Sequence, residues 1–213
     1  SLYGVGAEPY HNGIAGNRGK GSWLRFDHTG IGIFVGDQAG GGFISGVILR
    51  DFGTYRNQPT PAPGWVPSDH DYDISQYNAD LLIQNVMLWN ATRGVRLRQG
   101  SAGRLTIDGL RGHVFKFGIV IEESYDLVRI DNVHFWPFWW NDFSYVHPYT
   151  RANFIAICLY RCDGTHINNF FVIFAYIGIQ FRKNAFGHGT QLRGAYSNIY
   201  LDGCSTGIIV EGE

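Results

Sequence analysis

The sequence predicts an all-β fold: a right-handed, single-stranded parallel β-helix with long loops inserted between its coils. Three observations predict it. A four-residue phrase of apolar, polar, Asn or Gly, then apolar residue returns along the chain. Short runs around each copy alternate apolar and polar residues at period two, the signature of strands. Glycine is abundant, 29 of 213 residues, and aromatics reach 15%, while helix-period stretches are scarce; β-branched and aromatic residues favour pleated surfaces.

The phrase appears as Ile44-Ser45-Gly46-Val47, Ile83-Gln84-Asn85-Val86, Ile107-Asp108-Gly109-Leu110, Ile130-Asp131-Asn132-Val133, Ile167-Asn168-Asn169-Phe170 and Tyr196-Ser197-Asn198-Ile199. Its third position is Asn or Gly, the two residues that best tolerate left-handed backbone. A chain that bends at one point in every coil uses that conformation there, so these residues should stack as a ladder with mutually bonded amides. A second phrase sets a small residue before alternating apolar ones, as in Gly94-Val95-Arg96-Leu97, Gly118-Ile119-Val120-Ile121, Ala156-Ile157-Cys158-Leu159, Gly178-Ile179-Gln180-Phe181 and Gly207-Ile208-Ile209-Val210. Ile119 and Ile121 then face inward, Val120 and Glu122 outward.

The steps between copies are 39, 24, 23, 37 and 29 residues. The shortest matches one turn of a β-solenoid, and the longer ones locate insertions at 52–80, 136–153 and 182–195 within a single domain, 1–213, whose coils are recognisable over 20–213. The first insertion carries Pro59, Pro61, Pro63, Pro67 and Trp65, a proline density that excludes a central strand. The coil opened by Gly207 to Val210 does not close, so a fragment of a longer chain is expected.

Composition excludes several classes. A net charge of -1 lacks the basic surplus of a nucleic-acid binder. No run approaches a membrane span, and the opening Ser1-Leu2-Tyr3-Gly4 has no signal-peptide character. Cys158, Cys162 and Cys204 suit neither a disulfide framework nor a zinc site; no cofactor or metal is expected.

The segment Ile130-Asp131-Asn132-Val133-His134-Phe135 after Gly118-Ile119-Val120-Ile121 resembles the pectate-lyase-like β-helix superfamily. Leu2-Tyr3-Gly4-Val5-Gly6, Gly21-Ser22-Trp23-Leu24-Arg25-Phe26 and Gly30-Ile31-Gly32-Ile33 are similar to the first coils of bacteriophage tailspikes and related depolymerases. The resemblance implies a virion-attached homotrimer that binds and cuts bacterial surface polysaccharide (capsule, O-antigen or exopolysaccharide). It joins other tail proteins through a region outside these residues. A secreted bacterial protein is the alternative. Endoglycosidic hydrolysis is the leading activity; a lyase acting by β-elimination and a non-catalytic adhesin are the alternatives.

Glycoside hydrolysis uses two carboxyl groups about 5–9.5 Å apart, and coils repeat about every 4.8 Å. Glu122 or Glu123 is the first catalytic candidate. Arg98, Tyr160, Arg182 and Glu211 occupy the equivalent outward place in other coils. Asp142 is the second, closing Trp136-Pro137-Phe138-Trp139-Trp140-Asn141-Asp142; such aromatics offer faces to sugar rings. Trp136, Trp139, Trp140, Trp65, Tyr160, Arg98 and Arg182 are the expected substrate-binding residues. In a lyase, Arg98, Arg161, Arg182 or Lys183 would neutralise a uronate. Asp69-His70-Asp71-Tyr72-Asp73 is either a solvated acidic loop or an oxygen-ligand cation site, and Asp51 an outward acid at the same insertion. His134 and His166 lie near bends as structural histidines or bases. Gly16-Asn17-Arg18-Gly19-Lys20-Gly21 fails as a phosphate loop for want of Ser or Thr after Lys. Asn90-Ala91-Thr92 matches a glycosylation acceptor.

Overall fold

A computed structural model describes residues 1–9, 18–37, 42–98, 104–125, 127–137, 144–183 and 193–211. In chain order they form β1 (Leu2–Tyr3), β2 (Ala7–Pro9), β3 (Arg18–Gly21), β4 (Trp23–Phe26), β5 (Ile33–Gly36), β6 (Ile44–Arg56), β7 (Tyr72–Tyr77), β8 (Ala79–Leu97), β9 (Leu105–Ser124) and β10 (Val128–Phe135). A short helix α1 (His147–Asn153) precedes β11 (Ile155–Cys162), β12 (Thr165–Ile173), β13 (Ile177–Phe181), β14 (Gly194–Asp202) and β15 (Thr206–Val210). Apart from an antiparallel β2–β3 pair, the strands run parallel. The architecture is all-β and consistent with a β-solenoid.

The long strands β6, β8 and β9 turn corners, so each coil passes through three faces. The first face stacks Leu49, Ile83, Ile107, Ile130, Ile167 and Tyr196 in one inward row. The second stacks Phe52, Val86, Leu110, Val133, Phe170 and Ile199, and the third Ile33, Ile74, Val95, Ile119, Ile157, Ile179 and Ile208. Most of these are fully buried and form one continuous core, whose apolar burial drives folding.

Between the first and second faces the chain turns on one residue per coil. Asn85, Gly109, Asn132, Asn169 and Asn198 have φ of 50°, 77°, 54°, 52° and 52°, the left-handed region expected of them. The amides bond along the axis: Asn198 Nδ2 donates to Asn169 Oδ1 (3.1 Å) and Asn169 Nδ2 to Asn132 Oδ1 (3.4 Å). At Gly109 the ladder lacks a side chain, and Asn132 Nδ2 reaches Asp108 Oδ1 (2.9 Å) while Arg111 Nη2 reaches Asn85 Oδ1 (2.8 Å).

One copy of the phrase is displaced. Leu49 pairs with Ile83 and Phe52 with Val86, which puts Asp51 and not Gly46 opposite Asn85. Asp51 has φ 62° and accepts from Asn85 Nδ2 at 2.8 Å. Asp shares with Asn a tolerance for this conformation, so an acid can begin the ladder. The expected 52–80 insertion is also shorter. Phe52 to Arg56 completes β6, Tyr72 to Tyr77 forms β7, and Ala79 opens β8; the segment between strands is 57–71.

Candidate functional site

The two remaining bends carry the inserted segments, and both border the third face. Residues 27–32, 57–71 and 136–154 lie between second-face and third-face strands. Residues 37–43, 98–104 and 182–193 lie between third-face strands and the next first-face strand. In chain order the third-face strands are therefore entered and left through the inserted segments, whereas the Asn ladder lies between the first and second faces. Rigid strands beneath variable loops are where binding residues concentrate.

On this face Ile121 pairs with Leu97 and with Leu159, Leu159 with Phe181, and Phe181 with Val210. The next residues, Arg98, Glu122, Tyr160, Arg182 and Glu211, thus form a single row, as their parity predicts. Arg96 Nε donates to Glu122 Oε1 at 2.8 Å, and Arg96 Nη2 reaches the same oxygen. The Arg96 guanidinium also lies 5.5 Å from the Tyr72 ring centre. Two coils away, Arg182 donates Nη1 to the Tyr160 hydroxyl (3.2 Å) and Nε to Glu211 Oε1 (3.2 Å). Gln180 Nε2 donates to the same Glu211 oxygen at 3.0 Å. Burial pushes the Tyr160 hydroxyl up from its ordinary value of 10.0, so it acts as a neutral phenol. Beside the row, Tyr72, Val120 and Cys158 form an apolar strip with Tyr160 at its edge; burial raises the Cys158 thiol to about 12, which keeps it unreactive.

The other expected site residues are dispersed. Glu123, one residue beyond Glu122, turns the other way and is only 1% exposed. It accepts from the Tyr125 hydroxyl (2.8 Å) and lies 3.4 Å from Arg161, so it braces a corner instead of facing substrate. Trp65 is 6% exposed. Its ring packs edge-on against Phe115 (5.0 Å) and Tyr149 (5.8 Å), and its indole N–H donates to Pro59 O (2.8 Å). That packing removes the face a sugar would use. Trp136 sits on the second face, tilted against Phe171 at 6.2 Å. Trp139, Trp140 and Asp142 lie outside the described residues.

The acids of 69–73 do not converge. Asp69 is bound by Lys116 (2.7 Å) and Arg93 (2.9 Å), and the Lys116 hydrogen bond holds its carboxyl below the usual range. Asp71 accepts from the backbone N–H of Tyr72, and Asp73 is interior. Asn90 is 0% exposed with φ 66°, a bend residue whose acceptor motif is buried. His166 is exposed on the first face, and His134 stands edge-on to Phe171 at 4.8 Å.

Two features escaped the sequence reading. Arg96 holds Glu122, and its parity one coil away would have shown it. On the second face His134, Phe171 and Tyr200 form an outward aromatic row, Phe171 and Tyr200 stacked at 5.4 Å and 8°; each lies two residues past its ladder Asn. Near this row, His113, Trp136, His147, Thr150, Phe154 and Phe174 help line a small pocket.

No protein family, curated protein or solved structure matches this chain.

Proposed function

We propose that this protein engages bacterial surface polysaccharide along its third face, as a tailspike-type depolymerase would. In this reading the coil is right-handed, the hand that parallel crossovers overwhelmingly take. One observation carries the reading. The row Arg98, Glu122, Tyr160, Arg182 and Glu211 runs along the axis, on the face whose strands the inserted segments join in chain order. A polymer laid along the axis meets a hydrogen-bonding group at each coil spacing of about 4.8 Å. Half-buried Tyr160 adds aromatic surface for the apolar faces of sugar rings.

Cleavage would proceed by endoglycosidic hydrolysis. Glu122, hydrogen-bonded to Arg96, is placed to act as nucleophile or as base towards water. Asp142 is the candidate for the second carboxyl group, which protonates the leaving oxygen. The tailspike reading carries with it a homotrimer on a phage virion, joined to other tail proteins.

The test is incubation with purified capsule and O-antigen preparations while reducing ends are measured. Glu122→Gln should lower the rate by roughly 10²–10⁴-fold without altering the fold by circular dichroism. Full activity in that variant would remove Glu122 from the chemistry. A product absorbing in the near ultraviolet would show a new double bond and assign a lyase.

Binding without cleavage is the second reading, and the ion pairing favours it. Asp69, Glu122 and Glu211 each sit against a cation, the arrangement of a fixed binding surface. Retention of polysaccharide with no new ends would establish this reading.

A further inference from the structure

We infer that the third face selects an anionic glycan, one bearing carboxylate groups, and that Arg98 is the residue that recognises the carboxylate. The inference rests on the third face being the glycan site, and it specifies what class of sugar lies there.

Arg98 differs from the other arginines of this face. Arg96 is committed to Glu122, Arg182 to Glu211 and Tyr160, and Arg93 and Lys116 share Asp69. Among the described residues, the Arg98 side chain has no hydrogen bond and no ion pair. Its backbone is nevertheless fixed, since its N–H donates to Gln76 O at 3.0 Å at the end of β8. Its side chain is half-buried and projects outward in the same row as Glu122, one coil away, with Tyr77 as its neighbour on the other side.

Charge decides what this arrangement takes. Two arginines of the neighbouring coil, Arg96 and Arg98, accompany the carboxylate of Glu122, and that carboxylate is bound by Arg96. A half-buried guanidinium without a counter-ion attracts an anion, and its planar fork matches a carboxylate through two parallel hydrogen bonds. A neutral sugar hydroxyl could accept only one such bond and would leave the charge uncompensated. A uronate on the sugar one coil from Glu122 would supply the missing charge at the place where the chain is held.

The experiment uses bacterial uronate-containing polysaccharides and the same polymers with their carboxyl groups chemically reduced to alcohols. Immobilised wild-type protein, Arg98→Gln and Arg129→Gln are compared. Arg129 is an exposed residue of the first face and controls for loss of one positive charge. The expected result is that wild type binds the acidic polymer at least about tenfold more tightly than its reduced form. Arg98→Gln should lose that preference and Arg129→Gln should keep it. Equal binding of both polymer forms by the wild type, or equal losses in the two variants, would overturn the assignment while leaving the third face as a glycan site. Binding of neither form, and of no neutral polysaccharide, would overturn the glycan site itself. A thermal melt of Arg98→Gln matching wild type shows that a lost preference is not lost folding.

Discussion

Arg56 and Asp73 form an ion pair in the interior of the coil, Nε to Oδ1 at 2.8 Å, with both side chains fully buried. Thr54 donates its hydroxyl to the other carboxylate oxygen at 2.5 Å. The Arg56 guanidinium also donates to the carbonyl oxygens of His28 and Gly30, the latter at 2.8 Å, so the pair ties segment 27–32 to the next coil. Asp73→Asn leaves a buried guanidinium without its counter-charge and should cost about 3–5 kcal/mol. Replacing both residues, Arg56→Met with Asp73→Leu, removes both charges and should cost less than the single change. Urea unfolding of the three proteins checks the order. In the double variant, limited proteolysis should cut first within 27–32, which has lost its anchor.

Gly109 occupies a ladder position at φ 77°, with Asn on either side along the column. An added Cβ would find ordinary contact distances, 3.4 Å to Asn85 N and 3.5 Å to Asn85 Cα, so backbone conformation and not space governs substitution. Gly109→Asn should therefore fall within about 1 kcal/mol of wild type. Gly109→Val should cost roughly 2 kcal/mol or more, because a β-branched residue resists left-handed backbone. Thermal melts of the two variants test this; equal losses would mean that the column does not impose its conformation.

The ladder and the inward rows were legible because both repeat at fixed offsets from one residue type. The parity that set Ile121 inward and Glu122 outward also aligned Arg98, Tyr160, Arg182 and Glu211. Residues 52–56 and 72–77 fall within the expected insertion because of the long step and the prolines between them, and their buried positions include Thr54, Arg56 and Gln76 instead of apolar residues. A polar cluster satisfied inside the coil breaks the period-two pattern that marks a strand. Trp65 is expected to bind substrate from its place in a proline-rich insertion, yet the segment folds back onto Phe115 and Tyr149. Such docking joins residues far apart in sequence and leaves no local periodicity. The same holds for Glu123, whose burial depends on Tyr125 and on Arg161 in the next coil.

His113 is 5% exposed, and burial pushes its imidazole down to about 3 from 6.5. Burial lowers His70 and His147 as well. For a histidine depressed in the folded state, the stabilising contribution is complete above the unfolded value of 6.5. It is lost as pH falls from there towards 3, because only the unfolded chain takes up the proton. Between pH 7 and pH 5 His113 alone should account for a loss of about 2 kcal/mol. His113→Phe keeps a ring against Phe115, which lies 4.7 Å away, and removes that proton uptake. Urea unfolding at pH 7 and pH 5 should show a smaller drop for the variant by about this amount; parallel drops would mean that His113 is not held neutral by burial.

Trp65 and Trp136 separate packing from surface. Trp65 joins segment 57–71 to Phe115 of β9 and to Tyr149 of α1, within a second apolar cluster that includes Met87 and Trp89. Trp65→Ala deletes a buried ring and should cost about 3–5 kcal/mol. Gln58 would still hold the segment through Asn90 O (2.9 Å) and the Thr92 hydroxyl (3.1 Å), so the loss should appear as loosening and not as global collapse. Trypsin has no target within 57–71, and the substitution removes the aromatic residue at which chymotrypsin would cut, so proteinase K reports on that segment. Proteinase K should cut there in Trp65→Ala well before it cuts the wild type. Trp136 is half-buried, tilted against Phe171 and edge-on to His134, so Trp136→Ala should cost less and leave segment 57–71 protected. A reversed order, with Trp136→Ala the more destabilised and the more readily cleaved at 57–71, would show that Trp65 does not carry the contact between the two inserted segments.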